Sequence, residues 1–205
     1  MTMAIASPVQ AGGHVFTPEQ LSGIGTVIGP DAKIEITPFR QIYVEVPVER
    51  REEIQQKLER AGLEVYPAGA VTKSLIVCNF CRGAEEAGLD TARMLNQSLA
   101  GIRTPAPLKI GYAGCALGTS EPLLKDIGIV KMRDKFDIYA GGEPKGLKAA
   151  LARKLASELA EDQLVPVVTA LIDHYKAHAK GKEKFSRFVE RVSLDKLQQI
   201  VADVI

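Results

Sequence analysis

The sequence predicts an α+β fold, a mixed sheet covered by helices and followed by a helical C-terminal tail. Three observations lead there. Runs with the two-residue period of strands alternate with runs at the 3.6-residue spacing of helices. Two apolar runs, residues 127–132 and 136–140, lie close enough to form a hairpin. From Lys145 onward the apolar spacing is helical almost to the end. Strands separated by helices, with a hairpin among them, suit one sheet with helices laid on it.

Residues 1–16 lack both a basic leader and a proper apolar core, so they read as a flexible arm and not as a signal peptide. Thr17-Pro18-Glu19-Gln20 then opens a helix, with Thr as cap, Pro in the first position and Gln in the capping-box slot; Gly29-Pro30 closes it. KIEIT (33–37) and QIYVEVP (41–47) alternate as strands. Residues 49–61 carry Ile54, Leu58 and Ala61 at helical spacing, stopped by Gly62. Ser74 to Val77 is a short strand, 85–99 a helix, and 108–113 a strand that ends at Gly114-Cys115. Beyond the hairpin and Gly141-Gly142, helices are expected over 145–160, 165–180, 183–192 and 194–204, with Pro166 in a first turn and Ser193 as a cap.

The 205 residues are 46% hydrophobic and 25% charged, with a formal net charge of +1. Near-neutral charge gives no support for a nucleic-acid or membrane-surface partner. No apolar run approaches the roughly 20 residues that span a bilayer. Three cysteines argue against a secreted disulfide framework and for a reducing, cytoplasmic setting.

Those cysteines concentrate the chemistry. Cys78 and Cys81 lie in VCNFCRG (77–83), and Cys115 in GYAGCALGT (111–119). Each stretch follows a strand and sits in a glycine-containing turn, where ligands are held rigidly and backbone N–H groups are free to bond anions. Soft thiolates gathered this way suit an iron–sulfur cluster or zinc. Three small buried hydrophobes, or a redox pair at Cys78 and Cys81, are the alternatives that spacing leaves open. His174 and His178, four residues apart, permit metal binding on one helix face; with no accompanying carboxylate motif they read as a solvated face.

At these residues the chain resembles the nitrite/sulfite reductase family, the enzymes of sirohaem and a 4Fe–4S cluster. Cys78 stands twelve residues before Asp90, as the family's first cysteine stands before its aspartate, and Cys115 follows Gly114 as the third does. DIGIVKMRDKFDIYAGG (126–142) is similar to the family's hairpin and its closing glycine pair. HYKAHAKGKEKFSRFVERVSLDKL (174–197) is similar to its tail helices, and Ile36-Thr37-Pro38-Phe39-Arg40 resembles a stretch of the related precorrin-3B synthases. The resemblance spans about residues 33–197. It implies one reductase half-type unit: a ferredoxin-like half-domain over 17–70, a cluster and sirohaem domain over 71–160, and a helical tail over 161–205.

The departures are equally specific. The family's second cysteine aligns with Ala84, three residues beyond Cys81, and its fourth, which bridges cluster and sirohaem iron, aligns with Thr119. A threonine hydroxyl is a poor ligand for a soft metal. The resemblance therefore implies Cys78, Cys81 and Cys115 as metal ligands, with Gly114, Thr119, Gly141 and Gly142 also around the cofactor. It implies Arg40, Arg82 and Lys109 as the cations that meet a small anion substrate or the tetrapyrrole's carboxylates. Lys73 and Arg103, also in matching regions, read as solvated surface cations. A single copy of a unit that the family uses twice implies a homodimer or a related partner chain, and reductase chemistry implies an electron-donor protein.

Overall fold

The computed structural model describes every residue except Lys148. The α+β class is as expected, but the chain builds two sheets instead of one.

The first sheet begins where the flexible arm was expected. Strand β1 (Thr2–Ala6) is an interior strand of an antiparallel sheet, with Met3, Ala4, Ile5 and Ala6 all buried. Helix α1 (Pro18–Ile28), strands β2 (Ile34–Ile36) and β3 (Ile42–Glu45), helix α2 (Arg51–Arg60) and strand β4 (Glu64–Pro67) complete it. Ala4 lies between Tyr43 of β3 and Tyr66 of β4, and the strand order β2-β3-β1-β4 is that of a split βαβ unit. The expected capping box is present: Thr17 Oγ1 accepts from the Gln20 N–H, and Gln20 Oε1 from that of Thr17. The rest of the arm is also tied down, since Val9 is buried and its carbonyl accepts from Arg93 Nε at 3.1 Å.

The second sheet is mixed. Strands β5 (Ile76–Val77), β6 (Ile110–Ala113) and β7 (Ile127–Met132) run parallel; β8 (Lys135–Ala140) forms the expected hairpin with β7, and β9 (Arg153–Leu159) pairs antiparallel with β8. Helix α3 (Leu89–Leu99), α4 (Glu161–His178), α5 (Phe185–Val192) and α6 (Leu194–Ala202) pack with it around one apolar core. β9 replaces most of the helix expected over 145–160, in which Lys148 lies outside the described residues. Leu155 and Leu159 are four apart, which suits one helix turn and two pleats of a strand equally well, and both face the core. The open edge of β8 decides for the strand. α4 accordingly starts at Glu161, with Pro166 inside the helix and not in its first turn. Among the described residues no helix is long and apolar enough to cross a membrane.

Candidate functional site

Both cysteine stretches leave the carboxyl ends of adjacent parallel strands, β5 and β6, where open sheets place their ligands. Tyr112 ties the two together. Its carbonyl accepts from the Cys78 N–H at 3.1 Å and from Ser120 Oγ at 2.7 Å, while its hydroxyl donates to the Ala87 carbonyl. Burial, then the nearby Cys78, pushes that hydroxyl's pKa up. Gly114 is required beside it, because a Cβ there would stand 2.6 Å from both the Cβ and the carbonyl oxygen of Ala87. Its N–H donates to Cys78 Sγ at 3.3 Å. Phe80 keeps a left-handed backbone, φ 54°, and is buried with its ring stacked on Tyr112.

The first unit braces the strand before Cys78. The Val77 N–H donates to His14 Nε2 at 3.1 Å, and Arg40 Nη1 donates to the Val77 carbonyl at 3.0 Å. Burial, aided by Arg40, pushes His14 down to about 4, so at neutral pH it is the uncharged acceptor that this bond needs.

A cleft of about 780 Å³ opens at the end of β6, lined by Gly114, Cys115, Ala116, Leu117 and Met132, with Arg82, Lys131 and Arg133 as its cations and Glu86 as its acid. A second cleft of about 340 Å³ shares Ala116, Leu117 and Met132 with it and continues over Pro122, Leu124 and Tyr139. The result is an apolar groove with basic groups at one end. Of the expected cations only Arg82 lines it, with its guanidinium 3.6 Å from the Glu86 carboxylate.

The other expected residues lie elsewhere. Arg40 lines a separate cleft with His14 and Asn79. Lys109 lines a fourth, of about 220 Å³, with Phe39, Lys125, Asp126, Glu143, Lys145 and Lys184. There Lys109 Nζ lies 3.3 Å from Asp126 Oδ2, which also accepts from the Lys109 N–H at 2.8 Å. Burial pushes Asp126 up to about 6 against the pull of Lys109. Gly141 and Gly142 line neither groove; their N–H groups bond the carbonyls of Asp126 and Lys125, and a Cβ on Gly142 would meet the backbone of Leu123 to Lys125. Arg103 is exposed as expected, but Lys73 is buried, donating to the Tyr43 hydroxyl at 2.7 Å and to the Gly69 carbonyl at 2.8 Å. Desolvation lowers its pKa to about 8. Lys131, Arg133, His14 and Asp126 were missed; the basic hairpin turn KMRDK (131–135) was the available signal for the first two.

A 4Fe–4S cluster asks for four soft ligands around one point. Cys78 is buried, Cys115 half-buried and Cys81 exposed, and Thr119 is an exposed hydroxyl. Among the described residues no three Cys, His, Asp or Glu side chains gather as a metal-holding group. The donor set of this chain does not fit a complete cubane cluster.

Residues 68–204 match the family described as the nitrite and sulphite reductase 4Fe-4S domain. A cobalt-factor III methyltransferase of Priestia megaterium is 31% identical over 177 residues, covering 86% of this chain and 33% of that protein. An assimilatory-type sulfite reductase of Nitratidesulfovibrio vulgaris is 25% identical over 121 residues, covering 59% and 55%. The chain thus spans about a third to about half of these relatives. A solved dissimilatory sulfite reductase I shares the fold with a TM-score of 0.75 at 14% identity, over 98% of this chain and 68% of that one.

Proposed function

Because the chain belongs to the nitrite and sulphite reductase 4Fe-4S domain family, we propose that it is a tetrapyrrole-handling member, binding a carboxylate-fringed macrocycle of the sirohaem kind. The observation that carries this reading is the groove beyond Gly114-Cys115, with apolar walls from Ala116, Leu117 and Met132 and the cations Arg82, Lys131 and Arg133. A flat ring with apolar faces and an acidic edge complements such a surface, apolar contact giving affinity and cations fixing orientation. The relative named for cobalt-factor III supports the same class of ligand. The acidic macrocycle is the ligand or cargo, the protein acts in the cytoplasm, and a second copy or a related chain packs against this unit.

The test is a titration of anaerobically purified protein with sirohaem, followed by absorption, with iron and acid-labile sulfide counted on the same sample. A saturable shift of the macrocycle band is expected, weakened about tenfold by Arg82→Glu, the size of one charge-assisted contact. Failure to bind sinks the reading. Stoichiometric labile sulfide together with reduction of sulfite or nitrite replaces it with a sirohaem-dependent reductase whose 4Fe–4S cluster is completed by a non-cysteine or partner ligand and which takes electrons from a donor protein. One observation favours that second reading: the N–H of Gly114, the residue before Cys115, donates to Cys78 Sγ at 3.3 Å.

A further inference from the structure

His174 and His178 of α4 come together in a way that the sequence pattern alone did not require. Their ring centroids are 4.2 Å apart and their planes differ by 31°. His174 also packs near the Phe188 ring, at 5.8 Å between centroids. His178 Nδ1 lies 3.0 Å from the His174 carbonyl oxygen. A carbonyl only accepts, so Nδ1 carries the proton and Nε2 keeps its lone pair. Imidazoles that ligate metals use this kind of outer hydrogen bond to fix tautomer and ring direction. The neighbouring carboxylates are committed elsewhere, Asp173 to Lys176 at 2.9 Å and Glu183 to Arg191 at 2.6 Å.

We propose that His174 and His178 form a two-imidazole chelate for a divalent first-row cation of the zinc, cobalt or nickel class. Spacing of i, i+4 puts both rings on one helix face, and nitrogen donors suit these borderline ions. No third His, Cys, Asp or Glu joins them among the described residues, so water completes the coordination and the site stays open to an added ligand. This goes beyond the tetrapyrrole reading and stands without it: neither histidine lines the groove at Gly114-Cys115. Lys196 is near enough to act on His174 electrostatically, and its charge opposes a dication.

The test is a Co²⁺ titration of the full chain, read by absorption and by the imidazole NMR signals. Expected are ligand-field bands without thiolate-to-cobalt charge transfer, and perturbation of both imidazoles. His174→Gln and His178→Gln should each weaken binding by about tenfold or more, while Cys115→Ser leaves it unchanged and Lys196→Glu strengthens it. Affinity that neither histidine variant changes overturns the proposal. So does a spectrum dominated by thiolate charge transfer that Cys115→Ser removes. Each histidine variant is checked for unchanged helical signal, and His178 is exposed, so loss of the metal and loss of the fold separate.

Discussion

The two ends of β6 hold positive charge in opposite ways. At its start Lys109 and Asp126 are enclosed together, with side-chain exposures of 17% and 5%. At its end Arg82, Lys131 and Arg133 stand around an open groove. Sequence reasoning treated Lys109 and Arg82 alike, as cations beside a strand. The structure separates them by what each already touches. A lysine that neutralises a buried carboxylate holds the fold together, whereas the groove cations have only solvent-exposed partners, Arg82 the Glu86 carboxylate at 3.6 Å and Lys131 the Glu86 carbonyl at 2.7 Å.

The comparison breaks most sharply at Lys109. Lys109→Met leaves Asp126 buried without its counter-charge and should cost about 3 kcal/mol in urea unfolding. Sirohaem affinity of the remaining folded protein should not change. A loss of affinity without a loss of stability would mean that the start of β6 belongs to the ligand site after all.

Asp126 sharpens the same contrast through pH. Burial, opposed by Lys109, raises it from 3.8 to about 6. The folded chain therefore binds this proton more tightly than the unfolded chain does. Its contribution is full below 3.8 and is lost as pH rises to about 6, then stays constant. Urea unfolding of Asp126→Asn against the wild type should shift in favour of the variant across that window and level off above it. A difference that does not move with pH would show that the carboxylate titrates normally.

At the other end, Gly114→Ala sets a methyl group against Ala87 at 2.6 Å, a backbone contact that no side-chain rotation relieves. About 2 kcal/mol of stability should go, seen as a lower Tm, because the fit there is already closed. An unchanged Tm would show that the Ala87 loop yields freely.

How much of this was legible follows from where the signals were local. The Thr17 capping box, the β7–β8 hairpin and the Ser193 cap, whose Oγ accepts from the Lys196 N–H at 3.4 Å, are short-range chemistry and stood in the residues themselves. β1 was illegible because MAIA shows no alternation: an interior strand buried on both faces has no polar side to reveal its period. β9 was misread because Leu155 and Leu159 fit both periods, and only the edge of β8, distant in pattern, chose between them. Lys73 was misread because its partners, Tyr43 and Gly69, belong to the first unit, and no spacing rule brings a lysine to a tyrosine thirty residues away. The cysteines were located correctly as turns after strands, but their differing exposure depends on Phe80 and Tyr112, whose stacking buries one side of the loop.

The smallest expected effect separates stability from binding at a single position. Arg133 lies in the two-residue turn between β7 and β8 with φ 63°, a left-handed conformation that arginine adopts at a cost and glycine does not. Arg133→Gly should therefore stabilise the chain by about 0.5 kcal/mol. The same change removes a cation from the groove at Cys115, so sirohaem binding should weaken as Tm rises. Opposite signs from one substitution are hard to obtain from a residue that serves only the fold. If Tm and affinity fall together, the turn is supported by the arginine side chain itself, and the proposal that the cations at this end of β6 meet a ligand fails at Arg133.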